Sequence, residues 1–248
     1  MPMFRAAVYP FALLVLTVWY GSKAIIAALV GIRYRPDGVY DQAARRWSRG
    51  LLEVSGVRVR TVGFENVPTG RPVVYVSNHQ SFFDIISLAA TLPGTYRFVA
   101  KRELAKVPLF GQALRAAGHI YIDRQRRQAA FGAYEKAAEV IKAGTSAVVF
   151  AEGTRSRTGD LLPFKKGPFV LAIAAQVPVV PVYCAHTFDI LPKGSIRIRP
   201  HPISLYFGVP IPTSGMDYED RQALLTEVRR VVEGFRDDAM NESEGGDT

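Results

Sequence analysis

The chain has 248 residues, of which 48% are hydrophobic and 21% charged. That composition excludes a disordered or fibrous chain and provides for one sizeable globular domain with a small appendage. The formal charge is +9, and residues 237–248 hold Asp237, Asp238, Glu242, Glu244 and Asp247 and no basic residue, so the body is more basic than the total. A surface of this kind attracts phosphate, whether on nucleic acid, anionic lipid or a phosphorylated small molecule. The single cysteine, Cys184, excludes an intramolecular disulfide. It lies in an apolar run and reads as a small core residue. The histidines at 79, 119, 186 and 201 show no metal-ligand spacing, so no metal is expected.

In chain order, residues 8–32 are almost wholly apolar, interrupted mainly by Gly21, Ser22 and Lys23. The length suffices for a bilayer, which needs about 20 residues. Lys23 near its middle costs roughly 2.5–3.5 kcal/mol in a crossing helix. Arg33, Arg35, Arg45, Arg46 and Arg49 follow, as suits the anionic cytoplasmic face of a membrane. Arg35-Pro36-Asp37-Gly38 signals a turn. Beyond it, Val39, Ala43, Trp47, Leu51 and Val54 form the stripe of an amphipathic helix with Trp47 as an interfacial aromatic. Two helices joined by a turn can lie in one leaflet, and this monotopic arrangement is preferred over a single span. Residues 1–55 are therefore expected to form a two-helix membrane-associating segment.

From residue 56 to 238, strand-like and helix-like runs alternate, which predicts a single α/β domain. Strands are predicted at 57–62, 73–76, 96–100, 120–122, 147–150, 179–185, 195–200 and 203–207. Helices are predicted at 82–91, 109–117, 127–143, 168–176 and 218–236. In the third of these, Ala130, Tyr134, Ala137 and Ile141 recur at helical spacing and Gly144 closes the pattern. Residues 239–248 read as a mobile acidic tail.

The chemistry-bearing residues follow predicted strands, where α/β sheets place ligands. Asn78-His79-Gln80-Ser81-Phe82-Phe83-Asp84 follows the run at 73–76. With His79 in the turn and Asp84 in the first turn of the next helix, the two side chains can meet. On one continuous helix they would point about 140° apart. A neutral His can take a proton from a hydroxyl, and a carboxylate can fix its tautomer. Lys101-Arg102-Glu103-Leu104 follows the third strand, with Pro108, Gly111, Gly118 and Asp123-Arg124 after it. Phe150-Ala151-Glu152-Gly153-Thr154-Arg155-Ser156 follows the fifth, and Lys165 and Lys166 come soon after. Gly153 permits a tight turn, and the Arg155 fork suits phosphate oxygens. Val177-Pro178-Val179-Val180-Pro181-Val182 opens a further strand.

These four blocks, in this order, resemble the glycerolipid acyltransferase family, specifically the 1-acylglycerol-3-phosphate (lysophosphatidic acid) acyltransferases. Residues 78–84 match the family's Asn-His-x-x-x-x-Asp, residues 101–124 its Lys-x-Glu-Leu block, and 177–182 its Val-Pro-Val-x-Pro-Val. Residues 150–156 match Phe-Pro-Glu-Gly-Thr-Arg-Ser except that Ala151 replaces the Pro. The resemblance implies an α/β domain with a mixed central sheet flanked by helices. It also implies acyl transfer from acyl-CoA or acyl carrier protein, as co-substrate, to lysophosphatidic acid, with no cofactor. The implied roles are His79 as general base, Asp84 as its partner, and Lys101 and Arg155 as phosphate ligands. Glu152, Gly153 and Thr154 shape that pocket, and Arg124 is a weaker phosphate candidate. Asn78 either holds the loop or polarises the carbonyl. Alternative readings are another acceptor, such as glycerol 3-phosphate or a different lysolipid, and a non-catalytic adaptor for anionic lipid. No nucleic-acid recognition motif is present.

Overall fold

The computed structural model describes residues 2–122 and 127–245. Its centre is a seven-stranded sheet of order β1-β7-β6-β2-β5-β3-β4. The strands are β1 (Val59–Val62), β2 (Val74–Ser77), β3 (Tyr96–Lys101), β4 (Ile120–Ile122), β5 (Ser146–Phe150), β6 (Val179–Ala185) and β7 (Ile203–Phe207). β6 and β7 pair antiparallel, and the other neighbours are parallel, so the sheet is mixed. The helices are α1 (Pro2–Leu29), α2 (Val39–Ser55), α3 (Phe82–Thr91), α4 (Phe110–Ala116), α5 (Arg127–Lys142), α6 (Gly167–Ala175), α7 (Thr187–Ile190) and α8 (Arg221–Gly245).

β2, β5 and β6 are buried at every residue. This explains their near-continuous apolar runs, since helices cover both faces. Alternation along β2 divides the core in two. Val74 and Val76 pack with Ile141, Phe169 and Val228 of α5, α6 and α8. Val73 and Tyr75 pack with Leu88 and Leu92 on the α3 side. Beyond α3 lies a further layer made of α1 and α2, where Tyr9, Leu51, Phe83 and Ile86 form their own cluster.

α1 packs along its length. Tyr9 stacks on Phe83 with centroids 5.8 Å apart. Thr17 Oγ1 accepts from Trp47 Nε1 at 3.0 Å. Ala24 and Ala27 bury against Tyr40 and Ala117. The opposite face leaves Phe11, Leu14, Val18, Trp19, Ile26 and Leu29 exposed. Residues Ala7–Leu29 are long and apolar enough to cross a membrane, and such a contiguous exposed strip marks a membrane-contact surface.

The structure departs from the sequence reading in five places. Residues 195–200 form no strand. β1 pairs directly with β7 and takes the sheet edge; Ile196 is 92% exposed, and the segment instead folds as a turn in which Ser195 N donates to Pro192 O. β1 starts at Val59 because the Val57 N–H is spent on Leu52 O and Ser55 Oγ at the end of α2. α8 continues past Arg236 to Gly245, through most of the segment expected as a tail. Trp47 is not the exposed tryptophan. It is half-buried against Phe82 and Phe110, and the exposed Trp is Trp19. Arg45 turns to the protein body, donating to Gly94 O and pairing with Asp37, which leaves the expected basic face narrower, while Arg49 stays exposed.

α2 is pinned to the sheet by a buried ion pair. Arg97 Nη1 of β3 donates to Asp41 Oδ1 at 2.8 Å. The Asp41 carboxylate also accepts from Thr95 Oγ1, Tyr34 OH and the Asp37 N–H. Removing one partner strands the other charge in the interior. Asp41→Ala should therefore lower stability by ~3–5 kcal/mol in a denaturant titration, whereas Asp41→Leu combined with Arg97→Met should recover most of that loss. An Asp41→Ala midpoint equal to wild type would show that the pair anchors nothing.

Candidate active site

The dyad is built by a helix N-cap. Ser81 is the extended N-cap of α3, and its Oγ accepts the Phe83 N–H. Asp84, in the first turn, returns a carboxylate to the N-cap, completing a capping box. Its Oδ2 accepts the N–H of Gln80 at 2.7 Å and of Ser81 at 2.8 Å. The same oxygen lies 2.8 Å from His79 Nδ1. With Nδ1–H given to the carboxylate, Nε2 keeps its lone pair for a substrate proton. Asp84 is fully buried, and the His79 side chain is 14% exposed, so the carboxylate is sealed and the imidazole reaches the surface. Phe150, the last residue of β5, stacks on the imidazole with centroids 3.9 Å apart and planes 13° from parallel, which fixes the ring from its face.

The turn holding His79 is tied to the segment after β5. His79 N donates to Glu152 Oε1 at 2.9 Å, and Ser156 N donates to His79 O at 2.9 Å. Gly153 takes φ +75, a left-handed conformation that glycine adopts without penalty. Ala151, where the family pattern has Pro, donates its N–H to Ser77 O at 2.8 Å. A proline has no N–H to give, so Ala151 adds one rung between β2 and β5.

Glu152 is 1% exposed, and its Oε1 serves the His79 backbone. Burial pushes its carboxyl up to about 7, against the opposing pull of the His79 and Leu162 backbones. Asn78 is likewise fully buried. Its Oδ1 accepts from Cys184 N at 2.7 Å and its Nδ2 donates to Cys184 O at 3.1 Å. Both ends of the Asn78 amide are thus engaged by the β6 backbone, which ties the His79 turn to that strand. Cys184 is buried, and burial pushes its thiol well above the usual range, which suits a core residue and not a nucleophile.

Lys101 ends β3 with a half-exposed side chain whose Nζ lies 3.4 Å from Glu103. Thr154 is exposed and Arg155 intermediate. Arg124 lies outside the described residues. Lys193, which the sequence reading did not single out, places its Nζ 2.9 Å from Thr154 Oγ1 and 3.2 Å from Arg155 O. No local pattern marks it, because only the fold brings it to this loop. Lys101, Arg155 and Phe150 share a wall of a cavity of about 340 Å³ that runs between β3, α4, α1 and α2. Phe98, Leu114, Trp47, Tyr20 and Ala24 line its apolar remainder. The His79 imidazole, stacked on Phe150 of the cavity wall, thus lies beside an apolar slot with Lys101 and Arg155 in its lining, at the carboxyl ends of parallel strands, an arrangement suited to acyl transfer onto an amphipathic alcohol.

The comparisons agree with that chemistry. The family model described as Acyltransferase matches residues 58–185. The human 1-acyl-sn-glycerol-3-phosphate acyltransferase alpha is 37% identical over 194 residues, covering 77% of this chain and 69% of the relative. The 1-acyl-sn-glycerol-3-phosphate acyltransferase of Cocos nucifera is 34% identical over 203 residues, covering 82% of this chain and 64% of that one. The crystal structure of the 1-acyl-sn-glycerophosphate acyltransferase PlsC from Thermotoga maritima superposes with a TM-score of 0.78 at 29% identity, covering 93% of this chain and 92% of that one. The chain belongs to the acyltransferase family.

A pH test follows from Glu152. A carboxyl raised from 4.5 to about 7 on folding binds more protons native than unfolded across that window. Its penalty is absent below the unfolded value, grows as pH rises through the window, and stays constant above it. Glu152→Gln keeps the acceptor oxygen and cannot ionise. Its stability relative to wild type should rise from acid pH to pH 8 by on the order of 3 kcal/mol. A difference that does not vary with pH would refute the assignment.

Proposed function

We propose that this chain is a 1-acyl-sn-glycerol-3-phosphate acyltransferase that moves a fatty acyl group from the thioester of acyl-CoA or acyl carrier protein to the free hydroxyl of lysophosphatidic acid. The product is phosphatidic acid, a precursor for phospholipid biosynthesis. The observation that carries the reading is the His79–Asp84 contact at 2.8 Å beside the Lys101 and Arg155 wall of an apolar cavity. The relatives' names point to the same acceptor.

In this mechanism His79 Nε2 takes the acceptor's hydroxyl proton as the oxygen attacks the thioester carbonyl. Asp84 holds the imidazole tautomer and stabilises the imidazolium that forms. The tetrahedral intermediate collapses by breaking the carbon–sulfur bond, and the imidazolium returns its proton to the leaving thiolate. No acyl-enzyme forms. Lys101 and Arg155, with Lys193 beside them, hold the acceptor phosphate. The acyl chain occupies the cavity between α1, α2, α4 and β3.

The exposed strip of α1 lies in one leaflet, on the cytoplasmic face. Because α1 packs on the body near both ends, at Tyr9 and Ala27, it is suited to lying in the plane of the membrane. A lysolipid then enters laterally, without moving its chain into water at about 0.8 kcal/mol per methylene.

Wild type should convert lysophosphatidic acid and labelled acyl donor to phosphatidic acid in vesicles. His79→Ala should lose at least ~10³-fold in kcat, and Arg155→Ala should raise the acceptor KM more than the donor KM. Undiminished turnover by His79→Ala would sink the mechanism. Separately, Phe11→Asp with Trp19→Asp should reduce co-sedimentation with anionic vesicles, and unchanged binding would remove α1 from the membrane surface.

A further inference from the structure

α7 stands outside the four blocks and outside the residues matched by the family model, yet it reaches the dyad. Asp84 Oδ2 is taken by His79, Gln80 and Ser81. Its other oxygen, Oδ1, accepts the hydroxyl of Thr187. Thr187 is fully buried, so water does not substitute for this donor. The chain is bent specially to deliver it. His186, between β6 and α7, takes φ +63 and ψ +7, a left-handed conformation that costs a non-glycine residue roughly 1–2 kcal/mol. Such backbone strain persists where the surrounding structure fixes it, commonly at functional sites. The far end of α7 is tied to the same helix cap, since Leu191 O accepts Ser81 Oγ at 2.8 Å.

We infer that Thr187 is a positioning residue for the reaction: its hydroxyl locks the rotation of the Asp84 carboxylate, and through it the plane of the His79 ring. The inference rests on the dyad reading given above. A carboxylate held only on Oδ2 pivots about that oxygen, which displaces the imidazole from the attacking hydroxyl. A positioning loss of this kind falls on kcat, because Thr187 touches neither substrate.

The test compares Thr187→Val, which keeps the shape and removes the donor, with Thr187→Ser, which keeps the donor. Both are assayed in full-length protein on vesicles with lysophosphatidic acid and acyl-CoA, with thermal unfolding measured beside them. Thr187→Val should lower kcat by about 10- to 100-fold, with both KM values within about twofold of wild type. Thr187→Ser should stay within about threefold of wild type. In an Asp84→Asn background, Thr187→Val should add little further loss, because the two residues act as a unit. Wild-type kcat in Thr187→Val, or an equal loss in Thr187→Ser, overturns the role of Thr187 and leaves the acyl-transfer reading intact. Additive losses with Asp84→Asn also overturn it. Absence of phosphatidic acid from wild type overturns the acyl-transfer reading itself, and Thr187's role with it.

Discussion

The Asp84 carboxylate is the group on which the site depends, because one side chain both caps a helix and holds the His79 ring. A helix N-terminus presents unsatisfied N–H groups and partial positive charge. Asp84 answers the N–H groups of Gln80 and Ser81 and, with the same Oδ2, holds His79 Nδ1. The position of the histidine is thus set by the start of α3, whose buried face packs Phe83, Ile86 and Leu88 into the core. A precise side-chain pair is obtained from packing that would exist without any chemistry.

The rest of the site converges because parallel strands bring their carboxyl ends to one side of the sheet. β2, β5 and β3 are adjacent, so the residues at or just past their carboxyl ends, His79, Glu152 and Lys101, lie on one side of the sheet although they are far apart in sequence. Glu152 links the first two loops by accepting the His79 N–H. Phe150 stacks on the imidazole above it. Burial makes this support an electrostatic liability, since the carboxyl is held up to about 7. The basic residues contribute differently: Lys101 and Lys193 remain near the surface, where they can meet a charged headgroup without the cost of desolvation.

The sequence was most legible where order is local. α3, β4, β6 and β7 start and end where apolar period, a Ser N-cap or flanking Pro and Asp residues place them. The placement of His79 in a strand-to-helix turn with Asp84 in the next helix's first turn, and the family pattern over residues 78–84, point to this pair, which the structure brings together at 2.8 Å. Strand order was not legible, since β7 lies between β1 and β6 and nothing local records this. The 195–200 segment alternates like a strand, but the edge it needs is taken by β1 and β7. Thr187 and Lys193 went unnoticed for the same reason. Their partners Asp84 and Thr154 are 103 and 39 residues away, and a lone Thr or Lys in a loop carries no periodic signal. Trp47 misled because an amphipathic stripe reports that a face is covered, and cannot report whether lipid or protein covers it.

That last ambiguity bears on how the N-terminal helices serve the site. Thr17, Tyr20 and Ala24 of α1, with Tyr40, Ala43 and Trp47 of α2, line the same cavity as Phe98 and Leu114 of the α/β body. The helices are therefore walls of the apolar slot as well as a membrane-facing surface, and a hinged anchor would open the slot to water. The Asp41–Arg97 pair prevents such a hinge by fixing α2 to β3, the strand that ends in Lys101. Buried ion pairs contribute little net stability when compared with apolar packing. Their directionality is the more useful property here: an apolar contact between α2 and β3 would tolerate sliding, whereas four donors to one carboxylate, from Tyr34, Asp37, Thr95 and Arg97, favour a single register. The slot, its cationic wall of Lys101 and Arg155 and the exposed strip of α1 are in this way held in one frame.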